Sequence, residues 1–219
     1  MNKIKTIFGL LMMISAMLIS DRPFVLITYI TAALTHEMGH LIMAKILKIR
    51  IKEICFDFSG VRICVDEKLT PYSHEIMLAF AGPCVNILLA GFVLSYLDRI
   101  ATRSEVIYET EMLLSAGEFG ITGLCGFFVI SSIIQATINL MPARTFDGGR
   151  MLYCAIACFR NSKTADSVVE VTSACLALVI WTVAIYLMLK VSAGLGIYVF
   201  SASVFAITLK DTYYVDKTK

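Results

Sequence analysis

The stretch Thr35-His36-Glu37-Met38-Gly39-His40 lies in the middle of an apolar run from Phe24 to Leu47. On a helix, side chains four residues apart project from one face. His36 and His40 can therefore share one zinc ion, with Glu37 beside them as the acid–base group. The setting is as informative as the spacing. Imidazole and carboxylate groups inside a hydrocarbon-facing segment are costly and mark a functional interior, so the stretch predicts hydrolytic chemistry within a membrane. The plainer reading, two satisfied core histidines, fits poorly with Glu37 between them.

Working outward, 58% of the 219 residues are hydrophobic, well above the globular norm, which makes the chain an integral membrane protein. A net charge of +2, with the basic residues scattered among loops, leaves no footprint for nucleic acid. Seven cysteines without a C-x-x-C pair read as packing residues in a reducing setting, not as a disulfide framework.

The spans follow from length. Ile4 to Ser20 is a short apolar stretch for which a signal peptide is the competing reading, and Phe24 to Leu47 is long enough to cross. From Ile49 to Val65 apolar and polar residues alternate about Ser59-Gly60, which predicts a β-hairpin at the membrane surface. Ser73 to Leu97 is the third span, carrying Gly82-Pro83 and Asn86. Asp98 to Glu118 reads as a polar connector. Ile121 to Met141 is the fourth span, Ser167 to Leu189 the fifth and Val191 to Leu209 the sixth. Met151 to Phe159 is too short to cross alone, so it belongs to one long element broken around Pro142 to Gly149. The expected fold is an all-α integral membrane protein of about six transmembrane helices, with a small membrane-associated β-hairpin after the second.

Lysine and arginine concentrate at the N-terminus, between Lys45 and Lys68, at Arg160 and Lys163, and in the tail. The positive-inside rule then predicts that both termini are cytoplasmic, with the metal within roughly 10 Å of the cytoplasmic end of its helix.

Two imidazoles leave a catalytic zinc one protein ligand short. Asp147 is the best third candidate, because a carboxylate in a Pro- and Gly-rich break within apolar sequence needs a counter-charge; the alternative is a helix cap at that position. Asn86 and Asn139 read either as interhelical hydrogen-bond groups or as residues that meet substrate. The hairpin offers an edge, around Phe56 and Phe58, that could pair with an extended substrate strand.

His36-Glu37-x-x-His40, Gly82-Pro83-x-x-Asn86 and Asn139-x-x-Pro142-x-x-x-x-Asp147-Gly148-Gly149 together resemble the site-2 protease family of intramembrane zinc metalloproteases, over about residues 24–160. The nearest likeness is to its compact group, which includes sporulation proteases that process a pro-sigma factor. The resemblance implies that His36, His40 and Asp147 bind one zinc ion and that Glu37 is the catalytic acid/base. It also implies that Asn86 and Asn139 line the site or hold substrate backbone. Residues 1–219 are expected to form a single protease domain in a bacterial cell membrane, without a PDZ or C-terminal regulatory domain, acting on a transmembrane or membrane-associated protein. Two rivals remain open: a prenyl-protein-protease-like zincin, for which Glu170 would be the third ligand, and a non-catalytic metal-binding membrane protein.

Overall fold

The structure, a computed structural model, describes residues 23–49, 51–57, 60–65, 70–115 and 120–191. Expectations about the first and last apolar segments, both termini and Phe58 lie outside these residues. The elements run α1 (Pro23–Ile46), β1 (Ile51–Asp57), β2 (Gly60–Val65), α2 (Tyr72–Ile100), α3 (Arg103–Ser115), α4 (Ile121–Asn139), α5 (Asp147–Phe159) and α6 (Ser162–Val191).

Helix α1 hides its own hydroxyls: Thr28 and Thr31 donate to the carbonyls of Phe24 and Ile27 at 2.7 and 2.8 Å, so little polar surface faces outward. Its end is closed by a left-handed residue, Lys48, at φ 55°. The N–H of Ile49 reaches the Ala44 carbonyl at 2.9 Å and that of Lys48 reaches Lys45 at 3.2 Å. This is a Schellman closure, and Ile49 completes it by packing on Ala44 and Leu78. Strands β1 and β2 then pair antiparallel, with a register irregularity between Ile51 and Glu53 that leaves Lys52 as the extra residue of a bulge.

Helix α2 is the hub, packed against α1, α4 and α5, while α3 lies along α4 and α6 along α5. Small and polar residues make the close approaches, as expected where helices cannot be driven together by apolar area alone. Gly123, Gly126, Ser131, Ser132 and Gln135 are all buried on α4. At the crossing of α1 with α2, a Cβ on Gly39 would stand 2.6 Å from the Ala81 carbonyl oxygen. Outside, α2 presents Leu88 and Phe92, and α6 presents Leu178, Val179 and Val183, a surface suited to lipid.

The expected fold class needs correcting. The helical membrane class fits, with the two-stranded sheet as a small addition to it, but the number of crossings does not. In place of about six transmembrane helices, three among the described residues are long and apolar enough to cross, namely α2, α4 and α6 over Ser162–Tyr186. These make it a multi-pass membrane protein. Helix α1 has the length, at 24 residues, but its metal motif dilutes its apolar character. The polar connector is also largely helical. Thr102 and Glu105 form a capping box, Thr102 N–H to Glu105 Oε2 at 2.7 Å and Glu105 N–H to Thr102 Oγ1 at 3.4 Å, and this starts α3. Leu113 and Thr110 then bury a narrow face of α3.

Candidate metal centre

Three elements converge at the buried crossing of α1 with α2. One helical period brings His36 and His40 together, with Nε2 atoms 3.2 Å apart and rings edge to face. The third side chain comes from the start of α5, where Asp147 Oδ2 lies 3.1 Å from His36 Nε2 and 3.2 Å from His40 Nε2. Among the described residues this is the group of potential ligands that can meet one ion, its donor atoms all lying within 4.8 Å of one another. Glu170, on α6, is not part of it.

Asp147 does not cap α5. The cap position is Phe146, and the Asp147 carboxylate turns to the imidazoles. The break before it is tight because Gly148 and Gly149 have no side chain; a Cβ on either would run into the backbone of Leu140 or Ala143. What those glycines supply is room, and neither takes a left-handed backbone. The break is also tied down from α6: the Arg144 guanidinium meets Asp166 at 2.8 Å and the Arg144 backbone N–H donates to Ser173 Oγ at 2.8 Å.

The residues fit zinc. His40 Nδ1 lies 2.8 Å from the Leu78 carbonyl oxygen, which can only accept, so Nδ1 carries the proton and the neutral ring leaves Nε2 bare. That bare nitrogen faces a carboxylate oxygen and a second imidazole nitrogen. Lone pairs gathered in this way need a cation between them. Ligand atoms about 2.0–2.2 Å from a tetrahedral zinc stand roughly 3.3–3.6 Å apart, close to the separations observed here.

Gly82 forms the floor under both rings. A Cβ there would stand 2.7 Å from His36 Nε2 and closer still to His40 Nε2, so a hydrogen atom is all the position admits. The sequence signal for this residue is the Gly82-Pro83-x-x-Asn86 motif, from which its role as clearance beneath the rings does not follow. Glu37 is half-buried beside the ligands, and its Oε2 is buried with no hydrogen-bond partner.

Asn86 is fully buried and engaged at both ends of its amide. Thr35 Oγ1 donates to Asn86 Oδ1 at 3.2 Å and Asn86 Nδ2 donates to Gln135 Oε1 at 3.5 Å. Gln135 in turn donates to the Tyr29 carbonyl at 3.2 Å. This chain stitches α1, α2 and α4 together next to His36, and Thr35 and Gln135 were not foreseen. Asn139 is the last residue of α4 and is partly exposed. Phe56 lies in β1.

A multi-pass helical protein with a buried His–His–Asp cluster and a neighbouring glutamate falls in the class of membrane metallopeptidases. The chain belongs to peptidase family M50, whose family model matches residues 24–183. In fold it is similar to the site-2 protease from Methanocaldococcus jannaschii, with a TM-score of 0.62 at 20% identity over 94% of this chain and 87% of that one. A protein of Synechocystis sp. that carries the name of a zinc metalloprotease is 29% identical over 122 residues. The match takes in 55% of this chain and only 28% of that protein's length.

Proposed function

We propose that the protein is an intramembrane zinc metalloendopeptidase that hydrolyses peptide bonds in or near the transmembrane segments of membrane-tethered proteins. The observation that carries this reading is the convergence of His36, His40 and Asp147 on one point, with an unpartnered Glu37 oxygen beside it. Those three side chains would hold the zinc, and Glu37 acts as acid and base. When bound, zinc in such a donor set polarises a peptide carbonyl and makes water acidic enough to serve as nucleophile near neutral pH.

The rest falls to the chain. Glu37, one residue from a ligand on a rigid helix, takes the proton from the attacking water and returns it to the departing amine nitrogen. Leu78 holds His40 in one tautomer throughout. The apolar walls limit water to what enters from one end, which by the distribution of Lys and Arg is the cytoplasmic side, with both termini there. A helical substrate must unwind before its amide can be reached. The edge of β1 at Phe56 and the partly exposed Asn139 beside the break are the groups proposed to hold the extended strand. Asn86, its amide already engaged, keeps α1 in place.

The test is Glu37→Gln in the purified chain. Zinc content is expected to stay at wild type while cleavage of a membrane-tethered substrate falls by about 10²–10⁴-fold. Undiminished cleavage would refute the assignment. Phe56→Pro should lower cleavage with zinc retained, and unchanged cleavage would remove the strand-pairing step alone.

A further inference from the structure

Helix α5 delivers Asp147 from its first turn, yet nothing in that turn explains why it stays in place. Its cap residue, Phe146, makes no side-chain capping bond, and the Asp147 carboxylate is committed to the imidazoles. The anchor comes from α2. Glu75, only 7% exposed, receives Arg150 Nε at 3.3 Å and Cys154 Sγ at 3.5 Å, both on the same oxygen, Oε2. Arg150 stands one turn beyond Asp147 and Cys154 one turn further, so one carboxylate oxygen grips the first two turns of α5.

One turn along α2 from Glu75 is Leu78, whose carbonyl orients His40. Further along the same stripe is Gly82, the floor beneath both rings. A single face of α2 therefore fixes the ligand helix on one side and the ligand-bearing turn on the other. A carboxylate this buried would be costly if it only held helices together, because apolar residues of similar volume would do as well or better. What the pair adds is orientation, since an ion pair with two donors on one acceptor fixes the rotation of α5 about its axis and hence the aim of Asp147.

We infer that Glu75 is a positioning residue for the metal centre: through Arg150 and Cys154 it sets the rotation of α5 that brings the Asp147 carboxylate onto His36 and His40. This rests on the metal reading given above. It makes Glu75 and Arg150 determinants of ion affinity and coordination geometry, although neither belongs to the ligand group.

The experiment uses the full chain in detergent, loaded with cobalt(II) as a spectroscopic probe of coordination, with affinity measured by competition against a chelator. The double variant Glu75→Leu/Arg150→Met removes the pair without leaving a lone buried charge. It is expected to unfold near the wild-type midpoint and to bind cobalt at least about tenfold more weakly, with a visible spectrum that loses tetrahedral intensity. Arg150→Lys alone, which keeps a cation opposite Glu75, is expected to bind more tightly than the double variant. Wild-type affinity and spectrum in the double variant would overturn the inference. Should that variant fail to fold, Glu75→Gln takes its place: weakened binding supports the inference and wild-type binding overturns it. Asp147→Ala is the control for the reading beneath it. If that variant binds cobalt as wild type does, the metal assignment itself falls and the role of Glu75 falls with it.

Discussion

The two halves of the metal centre are held by different means. His36 and His40 sit on one unbroken helix, and their separation is a property of the helical period alone. Asp147 arrives after a seven-residue interruption between α4 and α5, and its place depends on glycine clearance, on Arg144 bound to α6 and on Glu75 reaching across from α2. The first half is local and robust. The second is tertiary, so it is where substitutions distant in sequence should act on metal binding.

The largest expected effect comes from the one position that constrains the local half from outside. Gly82→Ala puts a methyl group against both imidazole nitrogens, which must then separate. Metal affinity should fall by about 10–100-fold or more, read by chelator competition. Gly91→Ala on the same helix meets nothing within 4 Å. It should leave affinity unchanged and, from helix propensity, raise stability by roughly 0.5–1 kcal/mol. Equal behaviour of the two variants would remove the floor from the account of the site.

A smaller effect tests the stitching of α1 beside His36. Asn86→Leu strips Thr35 and Gln135 of a buried partner, at a cost of about 1–3 kcal/mol in unfolding free energy. Thermal melting in detergent would measure it. A variant as stable as wild type would mean that the network contributes nothing net.

The smallest effect lies farthest from the centre. Hydrogen bonds from the Thr102 N–H and hydroxyl hold the fully exposed Glu105 carboxyl below its ordinary value. A carboxyl depressed in the folded state contributes its stabilisation above the unfolded value and loses it as pH falls through the folded one. The start of α3 should therefore be intact at neutral pH and loosen only below the ordinary glutamate range, about pH 4.3. The Thr102 amide resonance would follow that titration in wild type and stay flat in Glu105→Gln, while metal affinity would be the same in both.

This division also explains what could be read from the sequence. The imidazole pair was legible because a helix repeats, and the strands at 51–57 and 60–65 because their residues alternate. Asp147 was singled out on the cost of a carboxylate among apolar residues, although spacing alone left a helix cap as the alternative. Helix α3 was missed because its polar residues resemble a loop. Its signal, Thr102-Arg103-Ser104-Glu105, was present and went unread. Glu75 and Arg150 lie 75 positions apart, and no local pattern connects them. The count of about six spans took in Phe24 to Leu47, whose metal motif lowers its apolar character, and two runs outside the described residues; Met151 to Phe159, rightly read as too short to cross, forms the 13-residue α5 that aims a carboxylate.

Leu78 occupies two of these arrangements at once. Its side chain seats the turn at Lys48 and Ile49 that stops α1, and its carbonyl decides which nitrogen of His40 carries hydrogen. The length of the ligand helix and the chemical identity of its second imidazole are thereby coupled through one amino acid. A disturbance where the strands leave the helix is therefore transmitted to the imidazole as a change of hydrogen bonding, without any ligand having been touched.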